Sequence, residues 1–316
     1  MNGSELHAVL GASGGTGSAV VRELVRRGYR VRAVNRRGDA EVPEGVERRA
    51  GDASTPGGAR AAVAGASVVY HAAQPPYTRW PREFPPMTDN VIEGAAAAGA
   101  KVVFADNLYM YGPAGPQPMT EGAPRNAAGK KGKTRVLMEE RLLEAHRSGK
   151  VRTTMGRSSD YYGPRGIDTV AGDRVFGAAV EGKTARWLGS LDRPHTLNYL
   201  PDMARALVTL GEREEADGEA WHLPAAEPIT GRRFLEMVFA EAGGPARIGV
   251  VSKTAVRLGG VFVPFVREVR ETMYQFERPF VSDASKFLGT FGPFEPTPHG
   301  EAVARTVAWF RERRGR

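Results

Sequence analysis

Residues 11–17 read Gly-Ala-Ser-Gly-Gly-Thr-Gly, the composition and spacing of a phosphate-binding turn. They follow a short apolar run, Leu6–Leu10, and open an amphipathic stretch, Gly15–Arg27. Gly11 permits a tight turn, Gly14 lets a pyrophosphate approach the backbone, and Gly17 lets the next helix lie close to the sheet. The N-terminus of that helix aims unpaired N–H groups at the phosphates, with Ser13, Gly15 and Thr16 completing the loop. This chemistry predicts a dinucleotide site.

The end of the second apolar run bears on which dinucleotide. A site for a free ribose 2′-hydroxyl carries an acidic residue about 20 positions beyond the last glycine. Here the run ends Val34-Asn35-Arg36-Arg37. Asn35 does not repel a 2′-phosphate, and two guanidiniums can pair with one. The expected cofactor is NADP, with NAD second.

These residues need a frame to hold them. Leu6–Leu10, Tyr29–Val34, Val46–Ala50, Ser67–His71, Lys101–Ala105 and Val151–Met155 read as short Val-rich strands. Between them, Gly15–Arg27, Val91–Ala98 and Thr134–His146 have helical spacing. Alternating β and α elements with near-continuous apolar strands predict an α/β fold, a doubly wound parallel sheet of the Rossmann type. After about residue 165 Pro and Gly become frequent, and Met203–Leu210, Arg232–Ala242, Thr254–Leu258 and Glu301–Arg311 read as separated helices. The expected division is a dinucleotide-binding part over 1–165, to which parts of 190–225 return, and a smaller, interleaved substrate-binding cap over 166–316.

Composition excludes several classes. The 316 residues contain no cysteine, so there is no disulfide, Fe–S cluster, thiolate metal site or cysteine nucleophile. His195, His222 and His299 show no metal spacing, and no metal site is expected. No run approaches the ~20 apolar residues of a membrane span, and the start lacks a secretory pattern, which predicts a cytoplasmic location without a membrane partner. The net charge is +8, but apart from Arg311, Arg313, Arg314 and Arg316 the arginines are scattered, so a solvated basic surface is expected in place of a nucleic-acid face. The expected partners are a small-molecule substrate and, at most, a second copy in a homodimer. Trp187, Trp221 and Trp309 sit in apolar patterns and read as core, and Arg157 reads as a loop anchor.

The order of segments resembles the extended branch of the short-chain dehydrogenase/reductase superfamily, the NAD-dependent epimerase/dehydratase family. The resemblance is carried by the glycine turn, Gly51-Asp52, Val68–Ala73, Asn90, Tyr111-Gly112, Tyr162-Gly163-Pro164 and Tyr199–Asp202. It implies that Asp52 meets the adenine amino group and that Ala72 and Ala73 pass along the cofactor. It also implies substrate contacts after the fourth, fifth and sixth strands, at Gln74, Tyr111, Asp160 and Tyr162.

The catalytic pattern departs from that family, whose members use a Ser or Thr after the fifth strand and a Tyr-x-x-x-Lys on the next helix. The hydroxyl position falls on Asn107, which can orient a carbonyl but transfers no proton at neutral pH. The Tyr and Lys positions fall on Lys131 and Arg135, on one helix face at i,i+4. Two readings follow. Either Lys131 and Arg135 are cations holding ribose or substrate, with Tyr109, Tyr111 or Tyr161 as the hydroxyl acid, or Gly129–Arg135 is a solvated basic turn. In the first, Asp106 or Asp160 compensates Lys131. The candidate catalytic residues are Asn107, Tyr109, Lys131 and Tyr161. Arg193, Arg267 and Arg270 are the cations available to a diphosphate substrate.

The expected function is an NADP(H)-dependent oxidoreductase or epimerase/dehydratase acting on a small carbonyl or hydroxyl compound. The alternatives are a non-redox isomerase or cyclase on the same fold, and an NADP-binding sensor without turnover.

Overall fold

The computed structural model describes residues 5–113 and 117–315. Seven strands form the central sheet: β1 (Leu6–Leu10), β2 (Arg30–Asn35), β3 (Glu47–Ala50), β4 (Val68–His71), β5 (Lys101–Asn107), β6 (Thr153–Ser158) and β7 (Ala220–His222). Their order is β7-β6-β5-β4-β1-β2-β3, every neighbouring pair parallel. The chain steps outward from β1 to β3 and then crosses back to β4 on the other side of β1. That reversal is the switch point of a doubly wound sheet, and the glycine turn stands beside it. Leu10 pairs with both Val34 and His71, which brings the carboxyl ends of β1, β2 and β4 level.

Both sheet faces are covered, which is why β1 and β4 are buried along their whole length. On one face lie α1 (Gly15–Arg26) and, far along the chain, the helix Leu200–Glu212; Val20, Val21 and Leu24 share a core with Met203, Leu207 and Leu210. On the other lie α2 (Pro56–Val63), α3 (Trp80–Ala98) and α4 (Lys130–Arg147), whose Val63, Val91, Ile92, Met138 and Leu142 join one cluster. Helix Leu200–Glu212 and strand β7 both return from the second half of the chain to the sheet. A separate core of Phe176, Trp187, Phe234, Val238, Phe239, Val307 and Phe310 holds the cap together.

Three elements differ from their sequence patterns. Helix α3 begins at Trp80 instead of Val91 and runs through Pro85 and Pro86. Prolines normally end a helical pattern, but here Trp80, Phe84 and Met87 are buried on the apolar core, which outweighs the lost N–H bonds. Strand β6 does not stop at Met155 but carries Gly156, Arg157 and Ser158 to the sheet's carboxyl edge. Arg157 is therefore a fully buried strand residue and not a loop anchor, tolerated because carboxylates surround it. Helix α4 starts at Lys130, so Gly129–Arg135 is not a solvated turn: Lys131 and Arg135 are both buried. Trp187 and Trp221 are buried, and Trp309 packs partly buried on the cap core.

Candidate functional site

The glycine turn is built by close approach. A Cβ on Gly11 would stand 2.7 Å from the Ala73 backbone nitrogen and 2.8 Å from the Ala72 carbonyl, and one on Gly17 would stand 2.3 Å from the Gly11 carbonyl oxygen. Those two positions are glycine because the protein's own backbone fills the space. Gly14 differs. It is exposed, and a Cβ there would meet only the Gly11 oxygen at an ordinary 3.4 Å. Internal packing does not demand glycine at 14, and the bare backbone there leaves room for a group to lie against it. Gly14 is also the N-cap of α1 with no side chain to satisfy the first-turn N–H groups, and no acidic residue stands in that turn. The open face, the unpaired donors and the helix dipole together suit a pyrophosphate.

At the end of β2, Asn35 organises the next turn. Its Oδ1 accepts from the backbone N–H of Gly38 at 2.6 Å, and its Nδ2 donates to Ser13 Oγ at 2.5 Å and Asp39 Oδ1 at 2.7 Å. Asp39 was not anticipated. It lies 22 positions beyond Gly17, a spacing at which an acid is expected in such sites, but past the end of the strand. Its Oδ2 accepts from Arg37 Nε at 2.6 Å, so Arg37 is engaged within the protein while Arg36 is exposed beside it. Asp52 is exposed after β3, its carboxylate accepting from the Ser54 amide and hydroxyl. Those bonds and the charge of Arg36 hold it below the usual carboxylate range.

A cavity of about 820 Å³ opens along the carboxyl edges of β1, β4, β5 and β6. Thr16, Ala72, Ala73 and Gln74 line its end nearest the glycine turn, and Asn107, Tyr109, Arg135, Asp160 and Tyr161 line it further along. Six of the residues expected at cofactor or substrate from sequence (Thr16, Ala72, Ala73, Gln74, Arg135 and Asp160) thus share one space with three expected at its catalytic face, Asn107, Tyr109 and Tyr161. Asn107 Oδ1 accepts from the Tyr109 amide at 3.1 Å, leaving its NH₂ as the donor.

Arg135 is buried and stacked, its guanidinium carbon 4.4 Å from the Trp80 ring centre and 4.8 Å from that of Phe84. Nη1 donates to Asp106 Oδ1 at 3.1 Å, while Nε has no partner among the described residues. Asp106 also pairs with Arg157, which reaches Glu139, which in turn binds Arg125. Burial pushes the Asp106 carboxyl up, and the two guanidiniums pull it back. Tyr161 stands within reach of Arg135: burial pushes its phenol up, while the guanidinium and the Thr16 hydroxyl act the other way.

Lys131 does not line this cavity. Its fully buried ammonium binds Glu268, lies 3.2 Å from Glu271 Oε1, and sits 4.3 Å from the Tyr77 ring centre. The compensating carboxylates are these cap residues, not Asp106 or Asp160 as expected. Tyr111 and Tyr162 also belong elsewhere than at a substrate. Tyr111 is buried, accepting from Arg157 Nη1 and donating to His222 Nε2, both at 2.8 Å. Tyr162 is buried in the cap core, stacked on Phe176 and bonded to His299 Nδ1 at 3.1 Å. Arg193, Arg267 and Arg270 are exposed and outside the cavity lining.

Asp160 is where the sequence placed it, with a partner that spacing does not reveal. Its Oδ2 lies 2.9 Å from Nε2 of His195, a buried imidazole stacked on Phe276. His195 arrives on the short strand Pro194–His195, 35 residues on, and no sequence pattern joins the two. Among the described residues no group of three or more His, Asp or Glu side chains is placed to hold a metal ion. None of the described helices is long and apolar enough to cross a membrane.

Comparison with known proteins agrees with this geometry. Residues 7–223 match the sequence profile of the NAD-dependent epimerase/dehydratase family. Over 273 residues the chain is 27% identical to a 2-alkyl-3-oxoalkanoate reductase of Stenotrophomonas maltophilia (strain K279a), covering 80% of this chain and 81% of that protein. Among solved structures it is similar to dTDP-glucose 4,6-dehydratase from Bacillus anthracis str. Ames in complex with NAD (TM-score 0.81, 14% identity, 99% and 98% of the two chains). It is similar too to UDP-glucose 4-epimerase of Thermotoga maritima with UDP-glucose (TM-score 0.80, 18% identity, 98% and 99% covered). With its glycine turn at the switch point and its cavity on the carboxyl edge of the sheet, the chain belongs to the NAD-dependent epimerase/dehydratase family.

Proposed function

We propose that this enzyme is an NADP(H)-dependent oxidoreductase acting on a small carbonyl or hydroxyl compound through an altered catalytic set. The observation that carries the reading is the single cavity running from Thr16, Ala72 and Ala73, beside the glycine turn, to Asn107, Arg135 and Tyr161. The dinucleotide would be held by the backbone of Gly11, Ser13, Gly14, Gly15, Thr16 and Gly17, by Asn35 and Arg36 at the adenosine ribose, by Asp52 at the adenine, and by Ala72 and Ala73. When bound, it supplies or accepts a hydride. Tyr161 would hold the proton that passes to or from the substrate oxygen, with Arg135 as the neighbouring cation that stabilises its phenolate. Asn107 would orient the carbonyl, and Gln74, Tyr109 and Asp160 would face the substrate.

The substrate end is walled by Tyr77, Trp80, Tyr109 and Phe276, and the arginines considered for a diphosphate stand outside the lining. A small, partly apolar carbonyl compound suits these walls better than a nucleotide sugar. The reductase relative, which its name places on 2-alkyl-3-oxoalkanoates, points the same way.

The test is titration with NADPH and NADH by fluorescence, followed by a panel of ketones and 3-oxo acids scored by loss of NADPH absorbance. We expect binding, with NADPH preferred, and turnover of at least one ketone that falls 10²- to 10⁴-fold in Tyr161→Phe with nucleotide affinity retained. Binding without turnover of any carbonyl would favour the non-turnover sensor. No binding refutes the reading.

A further inference from the structure

Hydride transfer to a carbonyl needs one proton-transfer group, and Tyr161 beside Arg135 fills that role in the reading above. The cavity contains a second. Asp160 is half-buried in its wall, and Oδ2 is met by Nε2 of His195 at 2.9 Å. The imidazole is itself buried, stacked on Phe276 at 5.1 Å between ring centres and tilted against Phe280, with the Ser159 hydroxyl 3.4 Å from the same Nε2. The other cavity carboxylates stand differently: Asp106 is locked between Arg135 and Arg157, Asp173 binds Arg314, and Asp168 is exposed. Among the described residues that line the cavity, Asp160 is the carboxylate that faces it from a half-buried wall without a guanidinium or ammonium on it.

Its neighbours are phenols. Tyr77, Tyr109, Tyr161 and Tyr274 all feel the Asp160 charge, and burial together with that charge pushes each of them up, Tyr77 to about 12. The phenol O–H groups can donate to a substrate oxygen, while the Asp160 carboxyl oxygens face the same space in the opposite role, that of acceptor.

We propose that Asp160, positioned by His195, is a base that removes a proton from the carbon next to the substrate's carbonyl, so that this site takes enolisable carbonyl compounds and moves a proton at that carbon. The C–H bond breaks and its electron pair becomes the C=C bond of an enolate. The carbonyl π pair moves onto oxygen, where Arg135 and the Tyr161 hydroxyl stabilise it, and the proton goes to the Asp160 carboxylate. Its return to carbon restores the ketone with no net oxidant or reductant. This step rests on the cavity being a carbonyl site, as proposed above.

The test is solvent exchange. The protein saturated with NADP⁺, which cannot donate hydride, is incubated in D₂O with cyclohexanone and 2-octanone, and loss of the α-proton signals is followed by NMR. The wild type exchanges deuterium into these positions. Asp160→Asn lowers the exchange rate 100-fold or more while NADPH titration and melting temperature stay unchanged. His195→Leu lowers exchange likewise, and His195→Gln, which keeps an N–H donor toward Asp160, restores it to within about tenfold. A wild type that binds NADPH but exchanges neither ketone overturns the assignment, as does exchange indifferent to Asp160→Asn or unrescued by His195→Gln. Should Asp160→Asn fail to fold, the wild-type rate and the two His195 variants still decide. Protein that binds no NADPH refutes the carbonyl-site reading instead, so the two failures are distinguishable.

Discussion

One carboxylate oxygen of Glu271 lies 3.2 Å from the ammonium of Lys131, and the other accepts the backbone N–H of Lys130 at 2.6 Å. A single side chain of the cap therefore both satisfies the open N-terminus of α4, whose N-cap Gly129 has none to offer, and pairs with a fully buried lysine. Glu268 supplies the second carboxylate. Thr272, Gln275 and Phe276, just beyond Glu271, line the cavity. The position that the family resemblance assigns to a catalytic tyrosine is thus a fastening between the sheet domain and the segment that walls the site.

That assignment predicts the behaviour of Lys131→Met. Removing the cation leaves two carboxylates facing each other, so folding stability should fall by about 3 kcal/mol, the low end for a broken buried pair because both glutamates keep some solvent contact. NADPH affinity should stay within about twofold. Thermal melts and nucleotide titration check both. A melting temperature equal to wild type would remove the fastening role, and a large loss of affinity would put Lys131 on the cofactor.

Cofactor choice should depend on Arg36 more than Arg37. Arg37 is tied to Asp39 at 2.6 Å, whereas no such pairing occupies Arg36 among the described residues. Arg36→Ala is expected to weaken NADPH about tenfold with little change for NADH, the size of one charge-assisted contact. Arg37→Ala should do less. Asp39→Asn, which removes a carboxylate from the 2′ position and releases Arg37, should shift preference further toward NADPH. Equal losses for both nucleotides in Arg36→Ala, measured by fluorescence titration, would show that this side chain does not read the 2′-phosphate.

What the sequence made legible follows from how locally each feature is encoded. Strands β1 and β4 are apolar runs because helices cover both faces, and the glycine turn lies within seven residues, so both can be read directly. Asn107, counted back from Tyr111-Gly112, Arg135, set by the apolar positions of its helix, and Tyr161, just after the sixth strand, follow from segment order, and they meet at one cavity. The failures at Lys131, Arg157 and His195 are long-range. Lys131 in Gly129–Arg135 looks solvated because its partner Glu268 is 137 residues away. Arg157 looks like a loop residue because Asp106 and Glu139, which make its burial tolerable, come from a neighbouring strand and a helix. His195 looks isolated until a returning strand sets it against Asp160. Charged residues whose partners come from another part of the fold leave no periodic trace, and this site is built largely from them.

Three buried histidines make stability sensitive to mild acid. Burial lowers His7 to about 4, His71 to about 3 and His222 to about 4. For His7 burial is the cause, and for the other two the surroundings add to it. His71 sits among Phe84 and Phe104 near Arg135, with neither ring nitrogen partnered among the described residues. His222 accepts from Tyr111 at Nε2 while Nδ1–H donates to the Asp283 carbonyl at 3.1 Å, an arrangement that only the neutral ring can make. In the unfolded chain these imidazoles protonate near 6.5, so between that pH and about 4 the unfolded state binds more protons. Stability is therefore complete above pH 6.5 and falls as pH drops, by up to about 1.4 kcal/mol per pH unit for each histidine. Denaturant melts at pH 7.5, 6.0 and 5.0 should show this loss before most carboxylates titrate. His71→Leu, which fills the apolar site without a titrating ring, should reduce the slope by about one third. A stability that stays level from pH 7.5 to 5.0 would mean that these rings can be charged where they lie, and that the Tyr111–His222 bond can be reversed or broken at little cost.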